Sequence, residues 1–388
     1  MDLRTTFNTI KAEFEQAQDA FGLAMVPSRL ARIREAMKDQ ELDGLIINHW
    51  ANVVYATGFD GIADIENPHI ALITADRAIA FIDSRYYEVA STQAAADQWE
   101  VILARHEVRE RAVELIEDLS LDRIGIEETM SYVQFLKWRE ALEPRESAAT
   151  HRLIEDVREV KDIDEIARIA QAQAIADEAF AHLLEYIKLG MTERQIAFEL
   201  EFTLRRLGAE ALAFPPIVAA GTNGSMAHAK PSDYVLQKGD LVTLDFGAQY
   251  GGYKSDMTRT ICIGKANDLQ KRVYATVLEA QIAALDAIKA GKTYAEVDAA
   301  ARDIINAAGY EEEFGHGTGH GVGLNIHELP NLSPNSEGVL KVGSVTTTEP
   351  GIYIPGELGV RIEDMVVVTK NGSHNLTASP KELIELDV

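Results

Sequence analysis

The sequence runs to 388 residues with 46% hydrophobic and 26% charged side chains, which suits a globular protein of about two domains. A formal net charge of −25 repels phosphate backbones and anionic lipid, which argues against nucleic-acid and membrane partners, and no apolar run approaches the ~20 residues of a membrane span. The one cysteine excludes an intramolecular disulfide and fits a reducing, cytoplasmic setting, while residues 1–26, with Lys11, Glu13, Glu15 and Asp19, lack the apolar centre of a signal peptide.

In chain order, residues 1–26 read as a helical extension, because Phe7, Ile10, Phe14, Ala17 and Phe21 recur at helical spacing. It is expected to be a packing arm. Residues 27–152 read as a compact α/β domain. A helix opens at Pro27-Ser28 and runs through Lys38. Strands are expected at 45–47, 69–74, 78–83, 101–104 and 123–126, and helices around 85–95, 108–118 and 131–141. His49-Trp50 and Asp83-Ser84-Arg85-Tyr86 are its polar clusters and read as structural or interface residues. The highly charged stretch 151–165 marks a boundary, which leaves 153–388 as a second domain.

That second domain contains a repeat. KLGMTERQ at 188–195 lines up with KAGKTYAE at 289–296, and each Thr is followed three residues later by Gln or Glu, as in a capping box. The helices that follow end near Gly208 and Gly309. GDLVTLDFG at 239–247 then lines up with GSVTTTEPG at 343–351. A second acid follows in each copy, Asp256 in one and Glu363 in the other. The matching acids suggest two copies of one unit facing each other across one site.

Strand alternation puts Val242, Leu244 and Phe246 on one face and Thr243 and Asp245 on the other. The glycines between 247 and 252 signal a hairpin that returns Asp256 beside Asp245. The second copy repeats the device with Glu349, a turn through 355–359, then Arg361 and Glu363. Between the hairpins lies FGHGTGHGVGLNIHE at 314–328, too rich in glycine for a helix. As a strand it puts His316 and His320 on one face and lets another backbone pack closely on the other; His327 needs an intervening turn or bulge. Four carboxylates, Asp245, Asp256, Glu349 and Glu363, cannot all stay ionised in a partly buried site without cations. Two divalent ions balance them, and an oxygen-rich set with one imidazole suits Mn²⁺, Co²⁺ or Fe²⁺ better than structural zinc.

These residues resemble the Xaa-Pro peptidases of the pita-bread metallopeptidases, aminopeptidase P and prolidase. The likeness runs from about residue 27 to the end of the chain. HGTGHGVGLNIHE, TTTEPGIYIPG, VRIED and TLDFG…SDMTRT carry it, with YATGF at 55–59 and DSRY at 83–86 in the first domain. The resemblance implies an α+β protein whose pita-bread domain, with its internal pseudo-twofold repeat, follows a smaller α/β creatinase-type domain. It implies metal ligands Asp245, Asp256, His320, Glu349 and Glu363, of which Asp256 and Glu363 bridge two ions, Mn²⁺ foremost and Co²⁺, Zn²⁺ or Fe²⁺ otherwise. It assigns catalytic roles to His228, His316, His327 and Glu349, and gives Arg361 the orienting of a ligand carboxylate. A homodimer is expected, with the first domain forming part of the contact. The substrate is expected to be a peptide with proline second. Some prolidases carry an Arg just after His-Glu-x-Pro; here Asn331 stands there, which argues for an Xaa-Pro aminopeptidase acting on longer peptides. An Xaa-Pro dipeptidase is the alternative, and a non-catalytic pita-bread binding protein would have shed metal ligands that this chain keeps.

Overall fold

A computed structural model describes residues 3–23, 27–59, 69–94, 99–104 and 108–388, so both ends of the expected 1–26 helix, and residue 95, lie outside the described residues. The chain forms two compact units, one of residues 26–158 and one of residues 159–388 together with the amino-terminal segment. The division falls after Arg158 rather than at 152. Residues 153–158 are tied to the smaller unit: Arg158 Nη1 donates to Asn52 Oδ1 (2.7 Å), and Arg32 donates to Val157 O.

The smaller unit is a six-stranded sheet in the spatial order Glu100–Ala104, Ala78–Asp83, Ile70–Thr74, Gly44–Ile47, Arg123–Ile126 and Glu146–Ala149. The two central neighbours of Ile70–Thr74 run antiparallel to it, and the outer pairings are parallel. Ser28 caps the helix Arg29–Asp39 by accepting from Ala31 N. Sequence patterning missed the helix Leu153–Glu159, inside the charged stretch read as a boundary, and two further elements. The helix Trp50–Thr57 is buried at every residue from Ala51 to Thr57, so it has no polar face to set a period. The strand Glu146–Ala149 lies at the sheet edge, with no buried face.

The larger unit shows the repeat bond for bond. Thr192 and Thr293 each cap a helix, Glu193–Arg206 and Tyr294–Ala307, in complete capping boxes with Gln195 and Glu296. Gly190 N donates to Leu236 O and Gly291 N to Leu340 O; Leu236 N donates to Met191 O and Leu340 N to Lys292 O. Each copy has a long preceding helix, Ile163–Tyr186 or Asp268–Ala287, and its own apolar core. Val242, Leu244 and Phe246 enter the first core, as alternation predicts. The first copy builds a four-stranded sheet, ordered Ile384–Leu386, Met257–Ile263, Leu241–Phe246, Ile217–Ala220. The second builds a five-stranded one, ordered Glu328–Leu332, Gly319–Gly321, Val345–Thr348, Asp364–Val368, Ser373–Asn375. Cys262, the sole cysteine, is buried in Met257–Ile263, and burial pushes its thiol up to about 11.

The amino-terminal helix Leu3–Phe21 packs on this unit. Lys11 Nζ pairs with Asp164 Oδ1 at 2.9 Å, the Phe7 ring sits 5.9 Å from that of Tyr250, and Phe21 O accepts from Lys370 N. No described helix is long and apolar enough to cross a membrane.

Candidate active site and metal centre

The first hairpin positions two acids by register. Leu241–Phe246 pairs antiparallel with Met257–Ile263, with Asp245 opposite Thr258. The ladder resumes in Ala248–Tyr250 and Tyr253–Lys254 and is closed by Gly251 and Gly252, whose φ values of 56° and 80° are the left-handed pair of a type I′ turn. Asp256 lies two residues before Thr258, so it shares a face with Asp245 as a diagonal neighbour. In the second copy Thr348 pairs with Asp364 and Gly351 with Arg361, which leaves Glu349 across from Glu363.

His320 is the centre of the short strand Gly319–Gly321. A Cβ on Gly319 would meet Thr347 O at 2.1 Å, and one on Gly321 would meet Leu329 O at 2.0 Å. Only glycine lets both neighbouring strands close on the histidine. His320 Nδ1 faces Gly321 O at 3.1 Å and carries the hydrogen, so Nε2 presents its lone pair, 3.3 Å from Glu349 Oε1 and 3.5 Å from Asp256 Oδ2. Asp256, His320 and Glu363 bring ligand atoms within 4.8 Å of one another.

Burial, reinforced by Glu363, Asp245 and Glu349, lifts Asp256 well above the usual carboxylate range. Burial with Glu349 and Asp245 does the same to Glu363, and burial raises Glu349 against the pull of His316 and Arg361. Asp245 Oδ1 and Glu363 Oε1 are buried without a hydrogen-bond donor among the described residues. Buried carboxylate oxygens lacking donors, grouped with an imidazole lone pair, fit a divalent cation.

Arg361 ties the hairpins together. Its Nη2 donates to Asp245 Oδ2, its Nε to Thr258 Oγ1 at 3.1 Å, and its Nη1 to the Tyr353 hydroxyl at 2.7 Å. Thr258 Oγ1 donates in turn to Glu363 Oε2 at 2.7 Å. The Tyr353 hydroxyl donates to His316 Nε2 at 3.0 Å, because His316 Nδ1 is engaged with Gly317 O. His327 reaches the site through the turn after His320, and their rings meet edge-to-face at 4.3 Å. Burial, with His320 and His228 adding repulsion, pushes His327 down to about 4, and burial also lowers His316. Both are therefore neutral near pH 7. His228 is exposed and lines the same cavity.

That cavity holds about 1010 Å³ and is lined by all nine residues singled out from sequence. Its apolar wall includes Phe198, Phe214, Pro215 and Ile217. Sequence reasoning missed this wall together with Tyr353, Thr258 and Lys230. The first two lie inside motifs read for their acids alone, and Lys230 stands two residues from His228.

Acids, a tautomer-locked histidine and neutral imidazoles around an open cleft define a metal-dependent hydrolase. Residues 167–370 match metallopeptidase family M24, and residues 29–160 match the creatinase/prolidase N-terminal domain. The chain belongs to family M24, in its pita-bread Xaa-Pro peptidase branch. An Xaa-Pro dipeptidase of Pyrococcus furiosus is 37% identical over 92% of this chain and 99% of its own. The structure of an Xaa-Pro dipeptidase from Bacillus anthracis is 41% identical, with a TM-score of 0.87, covering 92% of this chain and 99% of its own. That of an X-Pro aminopeptidase from Thermotoga maritima is 36% identical, with a TM-score of 0.82, covering 90% and 99%.

Proposed function

We propose that this metallopeptidase hydrolyses the bond before proline in Xaa-Pro dipeptides. The convergence of Asp256, His320 and Glu363 below an open cleft carries the hydrolytic part of the proposal. The similarity to proteins named Xaa-Pro dipeptidase supports the dipeptide over the longer peptides that Asn331 suggested. Asp245, Asp256, His320, Glu349 and Glu363 would hold two divalent ions, manganese in this reading. Bound there, the ions supply Lewis acidity toward the scissile carbonyl and ready ionisation of water near neutral pH.

The chain's own groups do the rest. Glu349 accepts a proton from the attacking water as the water oxygen adds to the carbonyl carbon. Neutral His327 and the exposed His228 donate hydrogen bonds to the oxygen on which charge develops. Glu349 then delivers its proton to the proline nitrogen as the C–N bond breaks, which spares the departure of an amide anion. Arg361 holds Asp245 in place, and Thr258 holds Glu363.

The test is metal-stripped and reloaded protein assayed on Ala-Pro and Ala-Pro-Ala. Activity is expected to return at about two ions per chain, with the dipeptide preferred. Glu363→Ala should abolish turnover with the fold retained by circular dichroism. Undiminished hydrolysis by stripped protein sinks the metal mechanism, and a clear preference for Ala-Pro-Ala makes the enzyme an aminopeptidase. That second reading is favoured by Asn331 and by the likeness to the Thermotoga protein.

A further inference from the structure

A dipeptide carries a free carboxylate next to its proline, and an anion entering an acid-lined cleft needs a fixed cation. Besides the histidines, three basic side chains line the cavity among the described residues: Arg194, Lys230 and Arg361. Arg361 is committed to Asp245, Tyr353, Thr258 and Ala227 O. Arg194 spends its Nε and Nη2 on Asp233, at 2.9 and 3.4 Å. Lys230 is exposed to the cavity, and none of the described residues pairs with it.

Its backbone is fixed on both sides. Ahead of it, Ala227 O accepts from the same Arg361 that grips Asp245, and Ala229 N donates to Met226 O. Behind it, Ser232 gives both its N–H (2.9 Å) and its hydroxyl (2.6 Å) to Glu193 Oε2. Glu193 is fully buried, and its other oxygen accepts from Ala220 N and Asn223 Nδ2. Pro231 restricts residue 230 itself to extended backbone. A flexible ammonium thus stands on a rigid base two residues from His228, in a wall shared with the metal-ligating acids. Lys230 makes no ion pair or hydrogen bond with a described residue, so its charge is available to a ligand in the cavity.

We propose that Lys230 is the specificity residue that receives the C-terminal carboxylate of the dipeptide, an assignment that rests on the dipeptidase reading above. It replaces the arginine that Asn331 denies the site.

The experiment compares Ala-Pro with Ala-Pro amide on the metal-loaded wild type, Lys230→Gln and Lys230→Arg, and measures inhibition by L-proline and by prolinamide. Wild type should prefer the acid. In Lys230→Gln, kcat/KM for Ala-Pro should fall about tenfold or more, chiefly through KM, and L-proline inhibition should weaken in parallel. The amide and prolinamide should change far less, and Lys230→Arg should restore the preference. Equal loss on acid and amide, or a preference for the acid that survives Lys230→Gln, overturns the assignment while leaving the dipeptidase reading intact; the second outcome turns attention to Arg194. A wild type that favours Ala-Pro-Ala overturns both.

Discussion

Tyr353 and Thr258 carry no charge, yet each stands between the charged groups of the site. Tyr353 passes orientation from Arg361 to His316, and Thr258 passes it from Arg361 to Glu363. Tyr353→Phe leaves a buried guanidinium hydrogen and a ring nitrogen unsatisfied, so it should cost about 1–3 kcal/mol in denaturant unfolding. Among the described residues His228 has no hydrogen bond or ion pair with the five proposed ligands, so His228→Ala should lower kcat by about 10²-fold while metal analysis finds the ions retained. Loss of metal in that variant would make His228 a ligand. The acids were legible in sequence because a strand shows its faces through alternation and a glycine pair shows where it turns. Lys230 was not, since only the path of the chain from Met226 to Ser232 brings it into the cleft.

The helix Leu3–Phe21 precedes the first matched domain, which begins at residue 29; its second half packs on His374 and Lys370, while its first half leads to the hairpin that carries Asp245 and Asp256. Phe7 lies on Tyr250; Lys11 holds Asp164, which holds Arg168, which donates to Gly251 O in the hairpin turn. Removing residues 1–23 should lower the melting temperature and weaken metal retention, so that activity falls at limiting metal and recovers in excess. An unchanged melting temperature and metal titration would show the helix to be a passive arm. Its amphipathic spacing was plain in the sequence, and so were the paired capping boxes, because both are local signals. The helix Trp50–Thr57 was hidden, because burial on all sides erases the periodicity by which helices are read.

Across the whole larger unit, a further buried side chain joins Arg361 and Thr258 in linking the two copies. All five guanidinium hydrogens of Arg259, from the first copy, find acceptors: Pro380 O, Thr258 O, Glu363 O, Ser379 O and Asp364 Oδ1. Asp364, from the second copy, is fully buried and also receives Lys381 and Asn375. Arg259→Met strips that carboxylate of its main partner and leaves four carbonyls without this donor, so it should destabilise the unit by about 3–5 kcal/mol in thermal or denaturant unfolding. A loss below 1 kcal/mol would place the clamp elsewhere. The repeat itself was legible from matched glycines, threonines and acids. The clamp was not, because Arg259 has no counterpart at the matching place in the second copy and its acceptors are mostly backbone carbonyls.

Cys262 has a practical consequence. It is buried in a central strand, and its thiol is held protonated far above neutral pH. Maleimide chemistry on the folded enzyme therefore finds no native target. A cysteine introduced at an exposed position such as Phe202 would be the single labelled site on the chain, so a dye there could report substrate entry without first deleting a native thiol.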